Sequence, residues 1–450
     1  MANLKRKIDK FLINWKSEKT RKPLIIKGAR QTGKTTSIEK FGRENYKSFI
    51  EINFVSMPEY KTIFKDGYTV DNIIKNISLH NSDFEFIPND TLIFFDEMQE
   101  YSDTATSLKF FSIDGRFDVI CSGSLMGINY EEIHSNSVGY KEDYVMRSLD
   151  FEEFLWAKGY KDEQIEDLYT CMKEVKPLTE TQYTVMMNHF NDYIITGGMP
   201  EVVSMFIDNK TFSGVLNKQK TLLTDYEEDI TKYAGGLDKS KILDAYKKIK
   251  IFLGNDNKKF QVTKLKDGAR NREYVGVIDW LDRAGIVNIS YSLDHLELPL
   301  KVNYNPDNYR LYFGDTGLLI GSLDEESQKD LRNNQNFGTY KGALYENIVA
   351  EMLTKVGFDL YFYRDEQNKI EMDFIIRDEK NIIPIEVKAS DNPTYSLNKL
   401  IEEKQYKNIK YGIKLCNKNI GFNGKFYTFP YFMTFFLKRF LNDEFNKKIK

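Results

Sequence analysis

Through the first 150 residues, short continuous apolar runs alternate with longer stretches of helical period. Residues 23–26 (Pro-Leu-Ile-Ile), 48–54, 91–97 and 117–121 each read as a buried strand. Runs that are apolar on both faces, separated by helical stretches, predict a parallel sheet covered by helices. Before the first strand, Leu4, Ile8, Phe11, Leu12 and Trp15 fall on one helical face. From Phe151 to about Tyr233 the period is helical throughout, opened by Phe151, Phe154 and Leu155 and broken only by two glycines and a proline within 195–200. Short helices then lead to a strand-like run at 286–291, and the last third returns to mixed strands and helices. The pattern predicts four parts: a core over 1–150, a helical part over 151–237, a winged helix over 238–300 and an α/β domain over 301–450.

Composition narrows the class. The chain has 450 residues, 29% of them charged, with a net charge of −3, so neither a polycation nor an acidic tail dominates it. No apolar run reaches the roughly 20 residues that span a bilayer, and the N-terminus does not have the form of a signal peptide. Cys121, Cys171 and Cys416 lie far apart and only 4 histidines are present, which argues against a disulfide framework or a structural zinc site. The expectation is a soluble, cytoplasmic protein without a membrane partner.

The sharpest local signal follows the first strand. Gly28, Ala29, Arg30, Gln31, Thr32, Gly33, Lys34 and Thr35 fit G-x-x-x-x-G-K-[ST], and Thr36 continues into a helix. Glycines at both ends let backbone N–H groups turn inward around a phosphate, and the helix N-terminus adds partial positive charge. Lys34 then reaches the β- and γ-phosphates and the Thr35 hydroxyl ligates Mg²⁺. The run 91–97 ends in Asp96 and Glu97, placing Asp96 to hold Mg²⁺ and Glu97 to polarise the attacking water as general base. A third strand ends in Ser122, Gly123 and Ser124, where the Ser124 hydroxyl is a candidate for the γ-phosphate or the lytic water. ATP with Mg²⁺ is the expected cofactor pair, and ADP the product.

Two further constellations lie downstream. From Lys239 to Arg272 eleven basic residues face only Asp244, Asp256 and Asp267. A helix from about Asn271 through Tyr274, Val277, Ile278 and Leu281 to Ala284, capped by Gly285, reads as the recognition helix of a winged helix, and the local excess of charge fits a DNA partner. The alternative, a packing module in a lysine-rich chain, stays open. In the last third, Glu346 lies on a helix, Asp373 on a strand, and Glu386 and Lys388 two positions apart on the next strand, hence on one face. This set resembles the PD-(D/E)xK restriction-endonuclease fold. The resemblance implies Mg²⁺ held by Glu346, Asp373 and Glu386, with Lys388 assisting the attacking water in phosphodiester cleavage. The same fold also serves as a binding platform, so cleavage and binding both remain open.

Taken together, KPLIIKGARQTGKTT, LIFFDEMQE with Lys109 and Asp114 after it, CSGSL, LDFEEFL, ITGGMPEVV, YEEDITKY, RLYFGDTGLL and KGALYEN resemble a family of prokaryotic AAA+ ATPases whose ATPase module precedes a C-terminal domain of unknown function. The resemblance implies an α/β fold class: an AAA+ P-loop parallel-sheet domain with a helical lid, a winged-helix segment and a C-terminal α/β endonuclease-like domain. It also implies that Gly198 and Pro200 lie near the adenine. Members usually carry Gly-Arg shortly before the LDFEEFL segment, where this chain has Gly139, Tyr140 and Lys141. An arginine finger acting between copies of a homo-oligomer would fall to Lys141, Arg147 or Arg116, or be absent. The functions implied are Mg²⁺-dependent ATP hydrolysis coupled to DNA binding and cleavage, or an ATP-dependent switch or scaffold whose nuclease-like domain only binds DNA or a protein.

Overall fold

The computed structural model describes residues 4–124, 137–234, 239–253, 274–332, 338–388, 393–403 and 405–447. They divide into two compact units. One comprises Lys5–Ser148 with Arg283–Gly285, and the other runs from Leu149 onward.

The first unit is built on a wholly parallel sheet of five strands: β1 (Leu24–Gly28), β2 (Ser48–Asn53), β3 (Thr91–Asp96), β4 (Asp118–Ser124) and β5 (Glu142–Val145), in the order β2-β3-β4-β1-β5. β1 and β3 are buried along their whole length, as runs apolar on both faces require. Ile52, Phe95, Leu108 and Phe111 fill one face of the sheet. Ile8, Leu12, Trp15, Ile26, Ile38 and Phe94 fill the other, confirming the apolar stripe of the first helix (Lys7–Ser17). Since β4 stands between β1 and β3, the C-terminal ends of all three open on one edge. β5 was not legible in the sequence. It is an edge strand in which Glu142 and Tyr144 are half-buried and Asp143 and Val145 exposed.

The second unit begins with helices Phe151–Ala157, Asp162–Glu174, Glu180–Thr196, Pro200–Asn209 and Val215–Tyr233. Reciprocal caps fix two of their starts, Asp150 with Glu153 and Thr179 with Gln182. An eight-stranded mixed sheet follows, formed by β6 (Val287–Leu293), β7 (Tyr304–Phe313), β8 (Leu360–Asp365), β9 (Ile370–Arg377), β10 (Ile382–Val387), β11 (Gly412–Cys416), β12 (Gly421–Phe422) and β13 (Phe426–Pro430). Their order is β12-β13-β11-β10-β9-β8-β6-β7. β6 pairs antiparallel with β7 and parallel with β8, so the strand-like run expected at 286–291 belongs to one sheet with the strands of the last third. Helix Lys239–Leu253 packs on β7 and on helix Gly338–Lys355. Within the span expected to be a recognition helix, Val275–Arg283 is helical; residues 254–273, with Lys258, Lys259, Lys264, Lys266, Arg270 and Arg272, lie outside the described residues.

The two-glycine break lies where backbones touch. A Cβ on Gly317 would stand 2.5 Å from the Gly197 Cα, and one on Gly198 would stand 2.1 Å from the Leu149 carbonyl oxygen. Asp315 accepts the Gly198 N–H at 2.9 Å. Beneath this junction, Lys355 Nζ donates to Glu351 at 2.5 Å, the Leu149 carbonyl at 2.8 Å and the Tyr193 hydroxyl at 3.0 Å, while Thr316 N–H donates to Glu351 at 2.6 Å. Burial raises the pKa of Glu351, against the pull of Lys355.

Candidate functional site: a phosphate loop and a carboxylate cluster

The loop after β1 is shaped by backbone conformations that its sequence allows. Gly33 has φ +92° and Gln31 φ +61°, both left-handed, and a Cβ on Gly28 would lie 2.2 Å from the Met146 carbonyl oxygen. Helix Lys34–Asn45 starts directly from this turn, directing its N-terminal end toward the loop. Lys34 is buried, and its ammonium donates to the carbonyls of Ala29 (2.9 Å) and Gly28 (3.2 Å). Burial pushes its pKa down to about 8; Glu97 and Asp96 pull it upward and Arg30 lowers it further.

Asp96, at the end of β3, gathers donors from several elements. Thr35 Oγ1 lies 3.3 and 3.4 Å from its two carboxylate oxygens, Asn53 Nδ2 donates at 2.9 Å and the Glu97 N–H at 3.0 Å. The Ser122 hydroxyl also donates to it. A threonine hydroxyl and a fixed carboxylate form a hard-oxygen donor set that suits Mg²⁺. Glu97 sits in left-handed conformation (φ +55°), half-buried, with its carboxylate bonded to the Gln99 amide, and Gln99 in turn accepts the Ser124 N–H at 3.3 Å.

Sequence reasoning singled out Ser124. In the structure its neighbour Ser122 meets Asp96, and Asn53 and Gln99 join the same edge. Asn53 ends the strand paired with β3 in register Asn53–Asp96, and Ser122 shares the face of Ser124. Arg6 was also missed. It is buried and donates to the carbonyls of Thr32 (2.9 Å) and Arg147 (2.8 Å), tying the first helix to the loop. Arg30, Gln31 and Thr36 are exposed on or beside the loop. Pro200 occupies the first turn of helix Pro200–Asn209 in the second unit. Of the finger candidates, Arg116 pairs with Asp114 (2.7 Å) and Asp71 (2.6 Å), and Lys141 with Asp143 (2.6 Å).

In the second unit, β9 and β10 pair with Phe374 opposite Ile385, bringing Asp373 beside Glu386 and Val387. Asp373 Oδ2 accepts the Val387 N–H at 2.9 Å. Glu386 is buried. One of its oxygens meets Lys388 Nζ at 2.7 Å, and the other has no hydrogen-bond partner among the described residues. Burial raises its pKa, Lys388 opposes this, Asp373 adds to it and Lys414 opposes it. Helix Gly338–Lys355 supplies Glu346, whose Oε1 accepts from the Tyr312 hydroxyl at 2.5 Å and lies 3.4 Å from Arg310 Nη1. Arg310 also pairs with Glu371, stands 4.0 Å from Asp373, and has its guanidinium carbon 4.2 Å from the centre of the Phe362 ring. Burial disfavours its charge, but Tyr312, Asp373 and Glu371 outweigh that and raise its pKa. The expectation was that Glu346, Asp373 and Glu386 converge on a metal. Among the described residues no three His, Cys, Asp or Glu side chains are grouped to hold one. The reason is physical: Glu346 and Asp373 turn toward a guanidinium, and Glu386 toward Lys388.

Residues 20–155 match the family model of an AAA domain. Residues 187–329 and 341–432 match two domains of unknown function, DUF8612 and DUF4143. A comparison with curated proteins returns no match. Among solved structures, the chain is similar to a Walker-type ATPase of Pyrococcus abyssi, at 12% identity over 71% of this chain and 95% of that one with a TM-score of 0.41. It is also similar to the ORC2 protein of Aeropyrum pernix, at 12% identity over 74% and 94% with a TM-score of 0.39. None of the helices described is long and apolar enough to cross a membrane. With its phosphate loop, its Asp96–Glu97 strand end and a family match spanning both, the segment 20–155 is an AAA-type P-loop ATPase domain, and the protein is an ATPase.

Proposed function

We propose that the protein couples Mg²⁺-dependent ATP hydrolysis to association with DNA. The observation that carries the first half is the meeting of Thr35 with Asp96 beside a buried Lys34, with Glu97 next in the chain. In this reading the backbone from Gly28 to Thr36 wraps the phosphates. Lys34 leaves the carbonyls of Gly28 and Ala29 for the β- and γ-phosphate oxygens, and Thr35 and Asp96 hold Mg²⁺. The ion would draw charge from the phosphate oxygens as the terminal bond breaks. Glu97 accepts the proton of the attacking water, Gln99 holds the Glu97 carboxylate, and Ser124 stands at the strand end near the γ-phosphate. Pro200 and Gly198 are proposed for the adenine, on the family resemblance alone.

The second half rests on charge. Lys239, Lys241, Lys247 and Lys248 lie on helix Lys239–Leu253, and seven of the eleven basic residues follow from Lys250 to Arg272. Lys247 pairs with Glu227 at 3.4 Å, and residues 254–273 lie outside the described residues. For the last third we infer an endonuclease-like core used as a binding platform. Its helix Gly338–Lys355, antiparallel β8-β9-β10, helix Tyr395–Glu402 and β11 parallel to β10 support that fold reading. Platform use is favoured because Glu346 and Asp373 already face a protein cation. The deciding experiment is the ATPase rate with and without single-stranded, duplex and branched DNA. Stimulation by any of them supports coupling. Binding to none, with an unchanged rate, leaves an ATP-dependent switch or scaffold for a protein partner.

A further inference from the structure

The second unit contains a cation site that the chain fills by itself. Arg310 lies on β7 opposite Ser290 of β6, whose small side chain leaves room on the shared face. The guanidinium is buried, lies against Phe362, and points toward Glu346, Glu371 and Asp373. A fork of five N–H donors suits several carboxylates at once. Around it stand four carboxylates (Glu346, Glu371, Asp373, Glu386) and three cations (Arg310, Lys388, Lys414), the last in register with Glu386 across β10 and β11. The surplus is a single negative charge, a weak attraction for a dication that must shed water to enter.

We propose that Arg310 is the resident cation of this cluster: its guanidinium replaces the divalent metal for which Glu346, Asp373 and Glu386 would otherwise be the ligands, so the cluster as built binds no metal and cleaves no phosphodiester. The proposal uses the endonuclease-like reading of the fold only to say what the carboxylates would otherwise hold; the guanidinium contacts stand without it. Removing the arginine exposes a latent metal site. Glu386 already contributes a buried oxygen without a hydrogen-bond partner among the described residues, and Glu346 and Asp373 lose the guanidinium they face.

The test uses the full chain without nucleotide, wild type and Arg310→Met, with Mn²⁺ as probe. Bound ion is counted by electron paramagnetic resonance, and melting is followed with Mn²⁺ or with EDTA. Arg310→Met is expected to bind one Mn²⁺ more than the wild type. At a hundredfold excess over Kd, its melting temperature should rise by about 5 °C, and adding Asp373→Asn should remove both effects. In the wild type, Asp373→Asn should change neither the Mn²⁺ count nor the response to EDTA. A wild-type ion lost on Asp373→Asn overturns the proposal, and so does a folded Arg310→Met that binds no extra ion. Should Arg310→Met fail to fold in EDTA, the double variant Arg310→Met/Glu346→Gln, neutral at that contact, is expected to recover the fold; failure to recover counts against the charge argument. DNA association is measured separately by titration with duplex DNA and fails or stands whichever way the manganese result falls.

Discussion

Lys34 makes ATP binding depend on pH in a direction that its surroundings determine. In the nucleotide-free loop, burial holds its pKa down to about 8, whereas a triphosphate beside the ammonium favours the charged form. Binding therefore takes up a proton wherever the empty site is partly neutral. With the free-site value near 8, about nine-tenths of the loop is protonated at pH 7 and about one-tenth at pH 9. If only the ammonium form binds, affinity falls about tenfold over that interval, or about 1.4 kcal/mol. The sign is a loss as pH rises through 8. Calorimetry with a non-hydrolysable ATP analogue, in buffers of different ionisation heat, reads both quantities. It should give uptake of about half a proton per nucleotide at pH 8 and about 0.9 at pH 9. Lys34→Arg, charged throughout, should flatten the profile. Equal wild-type affinity at pH 7 and 9, or proton release, would refute the reasoning.

Three other outcomes follow from contacts described above. Glu97→Gln should bind ATP yet lower turnover by at least about a hundredfold, and, because Glu97 holds the Lys34 pKa up, move the pH break below 8; parental turnover would assign the base elsewhere. DNA affinity, if five phosphates are neutralised, should fall with log salt at a slope of about −4 to −5, and replacing Lys258, Lys259, Arg270 and Arg272 by alanine should flatten it by several units; an unchanged slope removes those residues from the interface. Lys355→Met leaves buried Glu351 without its ammonium and should cost about 3–5 kcal/mol in denaturant unfolding; a loss below about 1 kcal/mol would mean that Glu351 is protonated and never needed the pair.

The phosphate loop and strands β1 to β4 were legible because their signals are local: a glycine pattern, apolar runs and a strand end bearing two carboxylates. β5 was not, since an edge strand half-open to solvent carries no apolar run, and Glu142-Asp143-Tyr144-Val145 reads as a loop. Asn53, Ser122 and Gln99 escaped notice because they reach Asp96 and Glu97 through strand order and a tight turn, neither of which spacing reveals. Arg310 is the sharpest case. It stands 36 positions before Glu346 and 61 before Glu371; the packing of helix Gly338–Lys355 on β7, and the pairing of β7 with β6, β6 with β8 and β8 with β9, bring them together. A run such as Tyr-Arg-Leu-Tyr-Phe signals a strand, not a counter-ion.

The touching glycines also impose a delay on a chain that folds as it is made. Gly198 needs Asp315, 117 positions later, and the Gly197 turn fits only against Gly317. A ribosome adding about 5–20 residues per second makes the Gly197–Gly198 turn wait about 6–23 seconds for the Asp315–Gly317 segment that it packs against. Until then Leu149, Tyr193 and Gly198 lack partners that are still being synthesised. In a nascent chain, this turn is therefore a place where a chaperone would find the helices after Phe151 incompletely covered.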